Sequence, residues 1–257
     1  MALDQIMFES FEGSGLPCLR FYCFEQATVS APLRFKGSEI STEKLRNHGI
    51  SLCRRISGGK YLLHQLGLTY AIFVPKTHAY IKGLDISSSY RKLSLPILEA
   101  LRCFDQAVDF IQCKRASADN YDCSLESEVE SIGVSGVKFV GSAQKRSREV
   151  VLQHGEIQLC SSTLGLGHLL SHGNPNATKG LDICCIERVS DQDNFLVWQE
   201  RRHDHKPSDL NLMRESVARK ILREFEKVFG KSSSFQLESS IINHALERRK
   251  DFQLYTV

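Results

Sequence analysis

The sequence predicts one mixed α/β domain with helices at both ends, on three observations. Apolar residues recur at helical spacing near the start (Leu3, Ile6, Met7, Phe11) and again from Ser208 onward (Leu210, Met213, Val217, Ile221, Phe225, Val228). Between these stripes lie short alternating or continuous apolar runs of the kind that form strands. The composition is globular: 257 residues, 42% apolar and 25% charged, with only 6 Pro and 17 Gly. A chain of this length buries most of its apolar surface without disulfides or metal.

The first helix is expected to stop at Gly13-Ser14-Gly15. Strands are expected at Cys18 to Phe24 and at Ala27 to Ala31, the latter closed by Pro32. Ser41 to His48 reads as a short helix with Gly49 at its carboxyl end, and Ile50 to Cys53 leads into the loop Arg54 to Lys60. Leu68 to Val74 is a buried strand. Pro96 suits the first turn of a helix with the stripe Ile97, Leu101, Phe104, Val108 and Ile111. The polar, acidic stretch from Lys114 to Ser131 reads as a long loop of the kind that carries function. Strands follow near Val137 to Val140 and Val150 to Leu159, with the basic turn Gln144 to Arg148 between them. Ser161 to His172 is read as helical, Leu181 to Val189 as a late strand, and Ile241 to Leu246 as a short helix ending the chain. Residues 1–257 form one domain on this reading, with a helical carboxyl-terminal segment at about 206–257.

Net charge is +3, from 33 basic and 30 acidic residues, which is too balanced for a nucleic-acid coat or a membrane-surface protein. No apolar run approaches the roughly 20 residues needed to cross a bilayer. The start, MALDQIMFESFEG, is amphipathic and acidic, unlike a secretory leader, so a cytoplasmic location is expected. The nine cysteines, an odd number, are then reduced thiols. None is spaced as C-x-x-C, and no metal is expected.

Two segments carry chemistry. The first is Arg54-Arg55-Ile56-Ser57-Gly58-Gly59-Lys60, with His64 four residues on. Adjacent glycines permit close backbone approach, and the cations favour an anionic partner; a solvated turn fits the same residues. The second runs from Lys138 through Gly141-Ser142-Ala143-Gln144 to His154-Gly155, placing an ammonium beside small residues that leave room for a substrate chain. An exposed lysine and a hydrogen-bonded sheet histidine are the plainer alternatives.

Arg-Arg-x-Ser-Gly-Gly with a following histidine, then Lys-x-x-Gly-Ser-Ala-Gln and Leu-Gln-His-Gly about eighty residues on, resembles the lipoate-protein ligase A family. The resemblance extends to Ala2-Leu3-Asp4, Arg20-Phe21-Tyr22 and Ala27-Thr28-Val29-Ser30, and covers roughly residues 1 to 160. It implies an α+β fold, the biotin/lipoate protein ligase-like catalytic domain, with mixed, mostly antiparallel sheets flanked by helices. It also implies an enzyme that places an acyl chain on a lysine of a lipoyl carrier domain, either of a 2-oxoacid dehydrogenase E2 or of glycine cleavage H protein. By resemblance, Lys138 contacts the acyl carbonyl or the adenylate phosphate. Arg54, Arg55, Ser57, Gly58, Gly59, Lys60, His64, Gly141, Ser142, Ala143, His154 and Gly155 line the substrate site.

Cys123 separates the family's branches. It lies fifteen residues before Lys138, where the resembling octanoyltransferases carry a nucleophilic cysteine and the ligases do not. A thiolate there accepts an octanoyl group from acyl carrier protein and passes it to lysine without ATP. Lys138, His64 or His154 are candidates to lower its pKa. The alternatives are an ATP- and Mg-dependent lipoate ligase, and a non-catalytic carrier-binding module. Lys60 after Gly-Gly and Gln65 after His64 depart from the family pattern, as does the start of the sequence at the first helix without the strand that usually precedes it. The basic cluster Lys145, Arg146 and Arg148 is a candidate docking face for an acidic carrier.

Overall fold

The computed structural model describes residues 1–11, 15–35, 37–112, 131–160, 164–170, 185–188, 196–199, 207–234, 239–248 and 253–255. Two sheets dominate the described residues. The larger is antiparallel throughout and contains β1 (Cys18–Tyr22), β5 (Gly67–Pro75), β9 (Val150–Gln158), β8 (Val137–Arg146), β7 (Ser131–Val134) and β6 (Asp109–Ile111), in that spatial order. The second contains β12 (Gln253–Tyr255), β3 (Ser51–Arg54), β2 (Thr28–Ala31) and β4 (Leu62–His64), with β2 and β3 parallel and the other pairs antiparallel. A small hairpin pairs β10 (Cys185–Arg188) with β11 (Leu196–Gln199).

Period-2 alternation sorts the large sheet into two faces. One face carries Leu68, Tyr70, Ile72 and Val74, which pack under α3 (Ile86–Arg102) and α4 (Pro207–Phe229). The α4 stripe is buried as its spacing requires: Val217 and Ile221 are inaccessible, Leu210, Met213 and Phe225 nearly so, and Val228 is half-buried. The opposite face carries Ala71, Phe73 and Leu152 and packs against Met7 of α1 (Ala2–Ser10) and Ile56. The smaller sheet encloses its own core of Val29, Leu52, Leu63 and Leu45, the last from α2 (Thr42–Asn47), whose amino end is capped by Ser41.

Pro96 does not open its helix. α3 begins ten residues earlier, capped by Asp85, whose carboxylate accepts the Ser88 N–H at 2.7 Å, and it ends at Arg102, so that Ile111 falls in β6. The three serines in the first turns dilute the apolar signal, and proline then becomes the apparent start. An interior proline leaves the carbonyl four residues earlier without its usual donor. Here that carbonyl belongs to Lys92, and the Tyr80 hydroxyl donates to it at 2.8 Å. Tyr80→Phe removes this donor and is expected to cost about 1 kcal/mol, which thermal denaturation will register as a fall of roughly 2–4 °C.

Other boundaries also shift. The reading of Ser161 to His172 as helix reduces, among the described residues, to a single 3₁₀ turn at Leu166–His168. Of the strand expected over Leu181 to Val189, Cys185–Arg188 is a strand and the remaining residues lie outside the described ones. The chain does not end on α5 (Ser239–Glu247), because β12 follows and joins the edge of the smaller sheet. Three polar-flanked residues are too few for periodicity to register. Strands β4, β6 and β11 are similarly short and leave as little trace in the periodicity.

Candidate active site

The site is built on the sheet face opposite α3. Register sets His154 of β9 between Ala71 and Ala143, and Glu156 between Thr69 and Gly141. Small neighbours on both sides keep the two side chains apart from bulk and open a cavity of about 340 Å³, partly continuous with solvent, whose accessible wall is largely apolar. Gly141, Ser142, Ala143 and Gly155 line it, with His64, His154 and Arg55. Tyr22, Ser30, Leu62 and Thr69 join them. Gly155 is obligatory: a Cβ there would lie 2.0 Å from the Gly141 carbonyl oxygen, so side chains cannot separate β8 from β9 at this point.

Two hydroxyl–imidazole–carboxylate arrays back this wall. In the first, the Ser57 hydroxyl is 2.6 Å from His154 Nε2, and His154 Nδ1 lies 3.2 Å from Asp4 Oδ2. Asp4 also accepts from Tyr22 at 2.8 Å and from Arg20. In the second, His64 Nδ1 bonds Glu156 Oε2, and His64 Nε2 is 2.8 Å from Ser30 Oγ. Thr69 donates to the same Glu156 oxygen at 3.2 Å, and the Phe24 ring stacks on His64 at 4.3 Å. A carboxylate only accepts, so each histidine donates its Nδ1–H to its carboxylate and sets Nε2 toward its serine. Gly67 makes room for this: a Cβ there would meet the Glu156 carboxyl at 2.3 Å.

Electrostatics favour a neutral His154. Burial lowers its pKa below the ordinary histidine value, against the opposing pull of Asp4. Burial alone would raise Asp4, but the His154 hydrogen bond, the Met1 ammonium and Arg20 outweigh it and hold the carboxylate far below the usual range. Both shifts have the same sign for stability. With folded pKa values below the unfolded ones, the unfolded chain binds more protons as pH falls, so stability is lost below about pH 6.5 through His154 and below about pH 4 through Asp4. The melting temperature should therefore drop between about pH 7.5 and 5.5, and the drop should shrink in His154→Gln.

Arg55 is a brace. Only 4% exposed, its guanidinium donates to the carbonyls of Ser30 at 2.9 Å and Gly58 at 2.8 Å, to that of Lys60, and to Ser30 Oγ at 3.3 Å. That fork fixes the turn through Gly58 and Gly59, both exposed, with Gly59 at φ +91° where a side chain would be strained. Arg54 and Lys60 are half-buried in the same turn, and Ser57 is fully buried behind it. Arg55 reaches the cavity wall, whereas Arg54, Ser57, Gly58, Gly59, Lys60 and Lys138 are not among its lining residues.

Lys138 is placed by a β-bulge. Ile132 pairs with Val140 but Gly133 pairs with Lys138, which sets Lys138 on the face opposite Val140, the face of the cavity. Gly133 is needed there, since a Cβ would lie 2.2 Å from the Val137 carbonyl oxygen. The lysine is 6% exposed. Cys123 lies outside the described residues. Among the cysteines that are described, burial pushes the Cys18 and Cys53 thiols up to about 11 and raises Cys23. In the basic cluster, Arg146 binds Ser89 Oγ at 3.1 Å and the Leu84 carbonyl at 2.9 Å, tying β8 to the start of α3, while Arg148 is exposed.

Asp4, Ser30 and Glu156 were not read as site residues from sequence. The i, i+2 spacing of His154 and Glu156 on a strand was the available signal, since it puts both on one face. Among the described residues no group of three or more His, Cys, Asp or Glu is placed to hold a metal, and no helix is long and apolar enough to cross a membrane.

Residues 1–194 match the lipoyl protein ligase A/B catalytic domain. The chain is 26% identical over 256 residues to octanoyltransferase LipM of Clostridioides difficile, covering 98% of this chain and 91% of that protein. It is 33% identical over 164 residues to octanoyltransferase LipM of Moorella thermoacetica, covering 62% of this chain and 60% of that one. The fold is similar to the bipartite lipoate protein ligase of Thermoplasma acidophilum, a structure described with its E2 lipoyl domain, at TM-score 0.69 and 18% identity over 97% of this chain and 86% of that one. It is similar also to a lipoate-protein ligase A bound with ATP, at TM-score 0.67 and 17% identity over 97% and 87%. With three-quarters of its length inside the matched domain, the chain belongs to the lipoyl protein ligase A/B catalytic-domain family.

Proposed function

We propose that this protein is a cysteine-dependent acyltransferase that moves an octanoyl or lipoyl group from a thioester donor to a lysine of a lipoyl carrier domain. The observation that carries the reading is an apolar-walled cavity on the sheet face of a chain that aligns over 98% of its length with an octanoyltransferase. A wall of Gly141, Ala143, Leu62 and Gly155 suits an acyl chain, because the polar side chains behind it spend their hydrogen bonds on one another. In the first half-reaction the Cys123 thiolate attacks the donor carbonyl, a carbon–sulfur bond forms, and the donor thiol leaves with a proton. In the second, the carrier amine attacks the acyl-enzyme, a carbon–nitrogen bond forms, Cys123 leaves, and one proton is released overall. Lys138 supplies the fixed cation for charge developing on the carbonyl oxygen. ATP and Mg take no part; acyl carrier protein is the donor, and the E2 lipoyl domain or H protein the acceptor.

Transfer from octanoyl-acyl carrier protein to an apo lipoyl domain, assayed without ATP, is expected to proceed. Pyrophosphate release from free lipoate and ATP, with no transfer from the thioester, would make the protein a ligase. Binding of the lipoyl domain with no turnover from either donor would make it a carrier-binding module.

A further inference from the structure

On the acyl-transfer reading the reacting carbonyl lies by Lys138 and the acyl chain lies in the cavity. Lys138, Gly141 and Ala143 follow one another on the cavity face of β8, and of the three only Gly141 and Ala143 line the cavity. A chain that runs from the carbonyl into the cavity therefore crosses Gly141. Directly over that residue stands Leu62. Its strand, β4, turns Leu63 into the core of the smaller sheet and Leu62, with His64, toward the cavity. A Cβ at position 141 would lie 3.3 Å from Leu62 Cδ1 and 3.6 Å from Cδ2, which puts both methyls within about 5 Å of the Gly141 Cα. A methylene in contact with both sides needs about 3.5 to 4 Å on each, roughly 7 to 8 Å in all. The passage is thus closed by Leu62, and it opens when that side chain withdraws by about 3 Å, a shift within reach of a leucine rotamer change.

We propose that Leu62, closing on the bare backbone of Gly141, is the gauge that the acyl chain threads, and that it selects a plain straight chain over one ending in a ring; this rests on the acyl-transfer reading above. The chain enters the cavity tail first, so whatever ends it has to pass Leu62 or lodge beneath it. An octanoyl tail is one methylene thick along its whole length. The lipoyl tail closes its last three carbons with two sulfurs into a ring, which requires the leucine to withdraw further. Leu62 has little backbone freedom to do so: it lies between the buried Tyr61 and Leu63, and the Tyr61 hydroxyl donates to Glu39 at 2.7 Å. Gly141 is the other half of the gauge. Its backbone is ordinary strand and not left-handed, so the missing side chain serves space and not conformation. At Gly133 and Gly155 a Cβ would strike backbone, whereas at Gly141 the two Leu62 methyls are the neighbours it would meet within 4 Å among the described residues.

Donor selectivity tests the gauge. Acyl-enzyme formation, followed by intact mass with octanoyl- and with lipoyl-acyl carrier protein, should favour octanoyl by about 10- to 200-fold in the parent, the span that one methylene of room commands. Leu62→Ala should bring the two donors to within about threefold of each other by raising the lipoyl rate, and Leu62→Val should move the ratio the same way by less. Gly141→Ala should slow octanoyl about tenfold or more. Leu62→Ala added to Gly141→Ala should recover most of that loss, because methyls removed from one side make room for the one added on the other. A general lesion in the fold lowers both donors together and is not repaired by a second truncation. Equal rates for the two donors in the parent, a ratio unchanged in folded Leu62→Ala or Leu62→Val, an octanoyl rate unchanged in Gly141→Ala, or a double variant no faster than Gly141→Ala overturns the proposal. A parent acylated by neither donor removes the acyl-transfer reading, and the proposal with it.

Discussion

Replacing Cys123 by serine is expected to abolish the acyl-enzyme and to cut octanoyl transfer by on the order of 10³-fold or more, since loss of a covalent nucleophile in acyl transfer costs up to about 10⁶. A serine hydroxyl in the same place is a far weaker nucleophile at neutral pH than a thiolate. The melting temperature should be unchanged within error, because the substitution exchanges a single side-chain atom in a polar, acidic stretch of the sequence. Mass spectrometry of the intact variant after exposure to octanoyl-acyl carrier protein, alongside steady-state transfer, checks both halves of the expectation. A variant that transfers as fast as the parent would exclude Cys123 as the acyl carrier.

Lys138→Met should slow transfer by roughly 10² to 10³-fold, the range for removing one preorganised oxyanion donor. Methionine conserves much of the volume of a side chain that is 6% exposed, so the fold should tolerate it, and thermal denaturation should show a smaller effect than kinetics does. The bulge at Gly133 gives a complementary test. Gly133→Ala leaves the charge intact but crowds the Val137 carbonyl oxygen, so it should lower activity by displacing Lys138. Loss of activity in both variants, with the ammonium absent in one and misplaced in the other, identifies position as well as charge.

The long amphipathic elements were legible in the sequence because packing acts on them through a single periodicity. The α4 stripe from Leu210 to Phe225 is buried as its spacing requires. Pro96 misled because its cost is met by a residue sixteen positions earlier, Tyr80, and no local pattern records a hydroxyl arriving from elsewhere. The site divides in the same way. His64, His154 and the small residues Gly141 and Ala143 stood out within short motifs, and all four line the cavity. Asp4, Ser30 and Glu156 became visible only when α1, β2 and β9 were brought together, because their role lies in partners up to 150 positions away. Arg55 shows the converse. Its motif reads as an anion site, but its guanidinium is occupied by carbonyls of its own turn and of β2, which organises the glycines.

One array thus links the first helix, the turn through Gly58 and Gly59, and strand β9 through Asp4, Ser57 and His154, and it does so directly behind the cavity wall. Substitutions there are expected to act through geometry, whereas larger residues at Gly141 or Ala143 are expected to act by filling the cavity. On the proposed mechanism the acyl group is held covalently on this protein before it reaches the carrier. The most direct measurement is the intact mass of the protein after mixing with octanoyl-acyl carrier protein in the absence of ATP. A gain of one octanoyl group, lost on adding the apo lipoyl domain and absent in Cys123→Ser, is the predicted result; an unmodified mass in a preparation that nonetheless octanoylates the lipoyl domain would contradict it.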